Sequence, residues 1–124
     1  MNQINKSLTD KQKKVLFEKA TEAPFSGSLL NKKDDGTFVC ANCDQALFDS
    51  SSKFDSNCGW PTFDQAIDGS VTYSKDTSHF MIRTEVTCSN CGGHLGHVFD
   101  DGPKETTGQR FCLNSLSLDF KDKK

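Results

Sequence analysis

Six cysteines and three histidines are the residues of this 124-residue chain with the most chemistry to offer, and their spacing sorts them. Cys40-Ala41-Asn42-Cys43 and Cys88-Ser89-Asn90-Cys91 are two Cys-x-x-Cys pairs of equal spacing. Each closes a tight turn that aims two thiolates at one point. Two such turns complete a tetrahedral sulfur site, which suits zinc. Four sulfurs leave no open coordination position, so one Zn2+ here would be structural. Iron competes for the same ligands, and His94 or His97 could stand in for one cysteine. The plainer alternative is two separate redox pairs or buried thiols.

Cys58 and Cys112 are left over. Cys112 directly follows Arg110 and Phe111. A guanidinium near a cysteine favours its thiolate, and the thiolate is the nucleophile. The common fate of a lone cysteine is different, a small buried hydrophobe. Cys58 lies in a loop shaped by Gly59 and Pro61, beside Trp60, the one tryptophan of the chain. His94 and His97 are the imidazoles nearest this segment, and either can hold or deliver a proton. Both could face one site if the chain is irregular around Gly96. His97 is the better candidate because it adjoins the apparent strand Val98-Phe99. Arg110 and Asn114 flank Cys112 at two residues on either side, hence on its face of an extended segment. The Asn114 amide could donate to a substrate oxygen, or simply end a strand. Trp60 offers a flat apolar wall, or a core residue.

The elements that must position these groups are short. Thr9 with Gln12 three residues on is a capping-box pattern, and predicts a helix over 9–20. Val15, Leu16, Lys19 and Ala20 share one face of it, and Pro24 ends any continuation. Turns at Asp34-Asp35-Gly36, Asp68-Gly69 and Asp100-Asp101-Gly102-Pro103 separate strand signals at 37–39, 46–48, 71–73, 79–87, 97–99 and 116–120. Over 79–87, Phe80, Ile82, Thr84 and Val86 alternate with Met81, Arg83, Glu85 and Thr87. Leu116, Leu118 and Phe120 alternate in the last strand. The pattern predicts a mainly β fold, a small antiparallel barrel or two packed sheets, with the helix at its N-terminal edge. Residues 1–8 read as a flexible N-terminus, 9–120 as a single zinc-stapled catalytic domain and 121–124 as a polar tail.

Hydrophobic residues make up 34% of the chain and ten of its aromatics are Phe, which predicts a thin, Phe-rich core helped by a metal staple. The net charge of -2 argues against a nucleic-acid partner. No apolar stretch is long enough for a membrane span, and no signal peptide is visible. Cysteines arranged as ligand pairs suit a reducing compartment, by default the cytoplasm. A non-catalytic zinc-stapled binding module or a zinc-ribbon nucleic-acid binder would explain the four ligands. Neither uses Cys58, Cys112, Trp60 or the histidines. A general thiol-disulfide oxidoreductase would more often use a Cys-x-x-Cys pair as its redox centre.

Several motifs together resemble the type B methionine sulfoxide reductases. They are Glu22-Ala23-Pro24-Phe25, the two Cys-x-x-Cys pairs, Cys58-Gly59-Trp60-Pro61-Thr62-Phe63, His94-Leu95-Gly96-His97-Val98-Phe99, Asp101-Gly102-Pro103, and Arg110-Phe111-Cys112-Leu113-Asn114-Ser115 with Leu116, Leu118 and Phe120 following. The resemblance runs from about Thr21 to Phe120. Thr62, Asn57 and Leu116 depart from the usual residues, and bear on loop shape more than on chemistry. The resemblance implies reduction of methionine-R-sulfoxide, in proteins or peptides, by attack of Cys112 on sulfur. It further implies a Cys112 sulfenic acid, a Cys58–Cys112 disulfide and reopening by thioredoxin. It places His79 near the pocket; Trp60 and Phe111 are the other candidates for binding substrate, and a monomer is expected.

Overall fold

A computed structural model describes residues 8–18, 20, 27, 29, 35–54, 59–77 and 82–122. The expectations for Cys58, His79, Lys19 and the Glu22–Phe25 motif lie outside these residues. The helix α1 spans Asp10–Glu18, shorter than expected at its C-terminal end. Its start is the predicted capping box. The Gln12 N–H donates to Thr9 Oγ1 at 3.2 Å and the Thr9 N–H to Gln12 Oε1 at 2.9 Å, so two of the helix's orphan donors are satisfied. Val15 and Leu16 are its buried face.

Eight strands follow among the described residues: β1 Gly36–Cys40, β2 Ala46–Asp49, β3 Thr62–Phe63, β4 Val71–Asp76, β5 Arg83–Cys88, β6 His94–Phe99, β7 Arg110–Leu113 and β8 Leu118–Asp122. They form two antiparallel sheets, one in the order β2-β1-β8 and one in the order β3-β7-β6-β5-β4. The mainly β, two-sheet expectation holds.

Phenylalanine joins the sheets. Phe63 of β3 stacks on Phe48 of β2 at 4.6 Å between centroids, and meets Phe38 of β1 edge-on at 5.0 Å. Phe111 of β7 meets Phe48 edge-on at 5.5 Å. All four rings are wholly buried. Each such ring stabilises the fold by about 1.5–3 kcal/mol through burial, and these edge-to-face and offset contacts add to it.

Two strand expectations are corrected. Ile82, grouped with Val86 on one strand face, lies just before β5 and is 77% exposed. The last strand begins at Leu118, not Leu116, because residues 115–117 form a 3-10 turn. Ser117 is the cause: its hydroxyl donates to the His94 carbonyl at 2.7 Å and its own carbonyl accepts from the Ala41 N–H at 2.9 Å. Those two bonds hold the turn against β6 on one side and the Cys40 turn on the other.

Candidate active site and metal centre

The larger sheet carries one line of residues across all its strands. Thr62 of β3 pairs with Cys112 of β7, Cys112 with His97 of β6, His97 with Glu85 of β5, and Glu85 with Ser74 of β4. Directly paired residues of an antiparallel sheet point to the same face. Cys112 and His97 are therefore neighbours on one face. Arg110 and Asn114, two residues away on either side, join them around a cavity of about 270 Å3, with Trp60, Arg83 and Phe99 completing its walls. Six of the residues expected at a site thus meet there or beside it: Cys112, His97, Arg110, Asn114 and Trp60 in the cavity, and His94 next to His97. Phe111, expected to bind substrate, has its side chain on the opposite face, wholly buried against Phe48. The alternation that puts Arg110 and Cys112 in the cavity takes Phe111 into the core.

The Cys112 sulfur receives a hydrogen bond from Arg110 Nη1 at 2.9 Å. The same guanidinium is held in place from two other sides. Its Nε and Nη2 donate to the Asp101 carboxylate at 2.7 and 3.1 Å, and its carbon lies 4.6 Å over the Phe99 ring. A fixed guanidinium N–H aimed at a sulfur stabilises the anionic form of that sulfur. Arg110 in turn holds the exposed Asp101 carboxyl below the usual carboxylate range. Asn114 is buried; its Nδ2 donates to the Leu95 carbonyl at 3.1 Å, which fixes the amide at the cavity wall. Thr62 Oγ1 donates to the Trp60 carbonyl at 2.9 Å and stands 4.0 Å from the Cys112 sulfur, so it ties the Trp60 loop to the strand carrying Cys112.

Both histidines face the site because β6 carries one extra residue. Val86 pairs with Gly96, but the next residue, Thr87, pairs with His94. Leu95 is the residue skipped, and it turns into the core, wholly buried. In a regular strand His94 and His97 would point to opposite faces. The bulge brings their rings to 5.5 Å, edge to face. Each imidazole has a carboxylate partner. His94 Nδ1 is 2.8 Å from Glu85 Oε2, both side chains buried, and His97 Nε2 is 2.7 Å from Asp76 Oδ2. Arg83 Nη2 donates to that same Asp76 oxygen at 3.4 Å. Sequence reasoning missed Asp76, Arg83 and Glu85, and gave no site role to Phe99 and Asp101, which it named only within motifs. The alternation over 79–87 places Arg83 and Glu85 on one strand face, and that was the available signal. Asp76 lies beyond the strand signal at 71–73.

The two Cys-x-x-Cys turns have the same geometry. In the first, the Cys40 N–H donates to the Gln45 carbonyl and the Asp44 N–H to the Cys40 carbonyl; in the second, Cys88 pairs with Gly93 and Gly92 with Cys88 in the same way. The residue after each second cysteine is left-handed, Asp44 with φ 65° and Gly92 with φ 77°. The four sulfurs lie within 4.8 Å of one another, with Cys40–Cys91 at 3.6 Å and Cys43–Cys88 at 3.5 Å. Tetrahedral zinc with bonds of about 2.3 Å separates its sulfurs by about 3.8 Å, so this cluster fits such an ion. Hydrogen bonds to Cys88 and Cys91 push the Cys40 thiol up, while those from Cys40 and Cys88 draw Cys91 far down towards its thiolate. Four sulfurs competing for protons at this spacing are a donor set for a metal cation. Gln45 Nε2 braces the cluster, reaching the Cys88 sulfur at 3.6 Å and the Ser70 carbonyl at 2.8 Å.

Residues 8–122 match the family described as the SelR domain. The chain is 53% identical over 116 residues to a peptide methionine sulfoxide reductase MsrB of Leptospira interrogans serogroup Icterohaemorrhagiae serovar Lai (strain 56601), covering 93% of this chain and 88% of that protein. It is 54% identical over 117 residues to a peptide methionine sulfoxide reductase MsrB of Methanosarcina barkeri (strain Fusaro / DSM 804), covering 94% and 82%. Among solved structures, the Mis18 Yippee-like domain superposes with a TM-score of 0.57 at 20% identity, over 72% of this chain and 97% of that domain. That likeness concerns the fold alone.

Proposed function

The chain belongs to the SelR family of methionine sulfoxide reductases, and from that premise we propose that it reduces methionine-R-sulfoxide at the Cys112 cavity. The observation that carries the reading is the Arg110 N–H on the Cys112 sulfur, with His97 directly across the strand pair. A sulfoxide sulfur accepts a nucleophile only as its oxygen gains a proton. Cys112 supplies the thiolate. His97, backed by Asp76, supplies the proton, with His94 behind it and the Asn114 amide beside the oxygen. Trp60 walls the S-methyl group. The oxygen passes to Cys112 as a sulfenic acid and methionine leaves; the cysteine sulfur is oxidised as the sulfoxide is reduced. Cys58 then attacks the sulfenic sulfur, releasing water and forming a Cys58–Cys112 disulfide. A dithiol of the thioredoxin class reopens it and is itself oxidised. Protein-bound methionine sulfoxide is the proposed substrate. One zinc on Cys40, Cys43, Cys88 and Cys91 would brace the fold, with no open position for chemistry.

The test is single turnover on a dabsylated methionine-R-sulfoxide. Cys112→Ser is expected to release no methionine, because a neutral hydroxyl is a far weaker nucleophile than a thiolate. Cys58→Ser is expected to release about one methionine per chain and then to stall with thioredoxin, since its step comes only after methionine leaves. Sustained turnover by Cys112→Ser would show that another group attacks.

A further inference from the structure

Asp76 sits at the last position of β4, at the sheet edge, yet its carboxylate is only 14% exposed. One of its oxygens, Oδ2, takes both His97 Nε2 at 2.7 Å and Arg83 Nη2 at 3.4 Å. Arg83 and His97 both line the cavity that holds Cys112, whereas Asp76 does not. Asp76 pairs with Arg83 in the β4–β5 register, so its backbone is fixed by the sheet and its side chain by Arg83. The hydrogen bond that holds the His97 ring is made through Nε2.

We propose that Asp76 is a positioning residue for the reaction: its Oδ2, anchored by Arg83, holds the His97 ring by Nε2 and leaves Nδ1 as the nitrogen that serves the cavity. The argument is one of tautomers. A neutral imidazole carries its proton on one nitrogen, and the partner of one nitrogen decides the state of the other. A carboxylate beside Nε2 accepts a proton there and cannot donate one. The neutral ring therefore keeps its hydrogen on Nε2 and offers Nδ1 as the base that is recharged after each proton delivery. When both nitrogens are protonated, the Nδ1 hydrogen is the one available to a substrate oxygen. Arg83 matters because Asp76 ends its strand: without a second donor on Oδ2 the carboxylate could swing to solvent and take the ring with it. This inference rests on the proposed role of His97 as proton donor.

The experiment pairs histidine 15N spectra with steady-state kinetics, His97 being assigned by loss of its signals in His97→Asn. In alkaline solution, with the rings neutral, the unaltered protein is expected to show His97 protonated on Nε2 alone. Asp76→Ala should mix the two tautomers and lower kcat by about 10- to 100-fold, the scale of a misplaced catalytic group, with KM changed less than about threefold. Asp76→Glu retains an acceptor-only carboxylate, and should restore the single tautomer and most of kcat. A purely structural role would not give that rescue. Should Asp76→Ala not fold, Asp76→Val, close in shape and suited to a strand, takes its place under the same outcomes. A single Nε2–H tautomer without Asp76, or a native kcat once the tautomer is lost, overturns the proposal. Failure of the underlying reading looks different: His97→Asn would then turn over normally, whatever the spectra of the Asp76 variants show.

Discussion

Gly96→Ala offers a close test of how the site is built. Gly96 lies on β6 opposite Leu113 of β7, between the two histidines. A Cβ there would overlap the carbonyl oxygen of Cys112, and would lie 2.9 Å from Leu113 Cα and 3.1 Å from the Cys112 carbonyl carbon. Ordinary carbon–carbon contacts fall at about 3.5–4.0 Å, so β6 and β7 must part by roughly an ångström at this pair. The contacting atoms are backbone, so no side-chain rotation relieves the overlap. Overpacking of this kind costs about 1–3 kcal/mol, and weakening two ladder hydrogen bonds adds about 0.5–1.5 kcal/mol each. The expected loss is about 2–6 kcal/mol, a large part of the 5–15 kcal/mol by which domains are usually stable. The same displacement moves Cys112 relative to His97, and a misplacement of about 1 Å at a catalytic pair costs about 100-fold in rate. Denaturant unfolding reads the first effect and kcat on methionine sulfoxide the second. Gly69→Ala is the control. Gly69 has φ 75° and open space where an added methyl would stand, so the change brings backbone strain of about 1–2 kcal/mol and no effect on kcat. If Gly96→Ala unfolds within about 0.5 kcal/mol of the unaltered protein and keeps its rate, the β6–β7 separation does not govern the site.

Two further outcomes are expected. Metal analysis should find one zinc per chain; its removal by a chelator, or Cys43→Ser, should lower the unfolding temperature because metal-binding energy is folding energy here, and less than half an equivalent in protein made with ample zinc counts against the site. Asp101 has a folded-state pKa depressed by Arg110, so its stabilisation is full above its ordinary value of 3.8 and is lost as pH falls through the lower folded value; Asp101→Asn should remove that part of the acid-side fall in stability and slow alkylation of Cys112 by loosening Arg110, and an unchanged acid limb would refute it.

What the sequence alone determined was local or repetitive. Equal Cys-x-x-Cys spacing forces each sulfur pair into one turn, and the two turns in the fold are superposable in their hydrogen bonds. Thr9 and Gln12 wrote the helix start, because a capping box closes within four residues. The abundance of Phe announced the core that Phe38, Phe48, Phe63 and Phe111 form. Period-two alternation also held the correction to Phe111, since a residue between Arg110 and Cys112 must face away from both. The rest required the sheet. Nothing near Asp76 in sequence points to His97, 21 residues further on; the β4–β5–β6 register brings them within a hydrogen bond. His94 and His97 share a face only because Leu95 is a bulge, and a bulge arises from how two strands pair rather than from either strand's own pattern. Ile82 and Leu116 failed their alternation for the same reason. An apolar residue joins the core only where a partner strand covers it, and 3-10 turn bonds at Ser117 or the start of β5 at Arg83 decide where that cover begins.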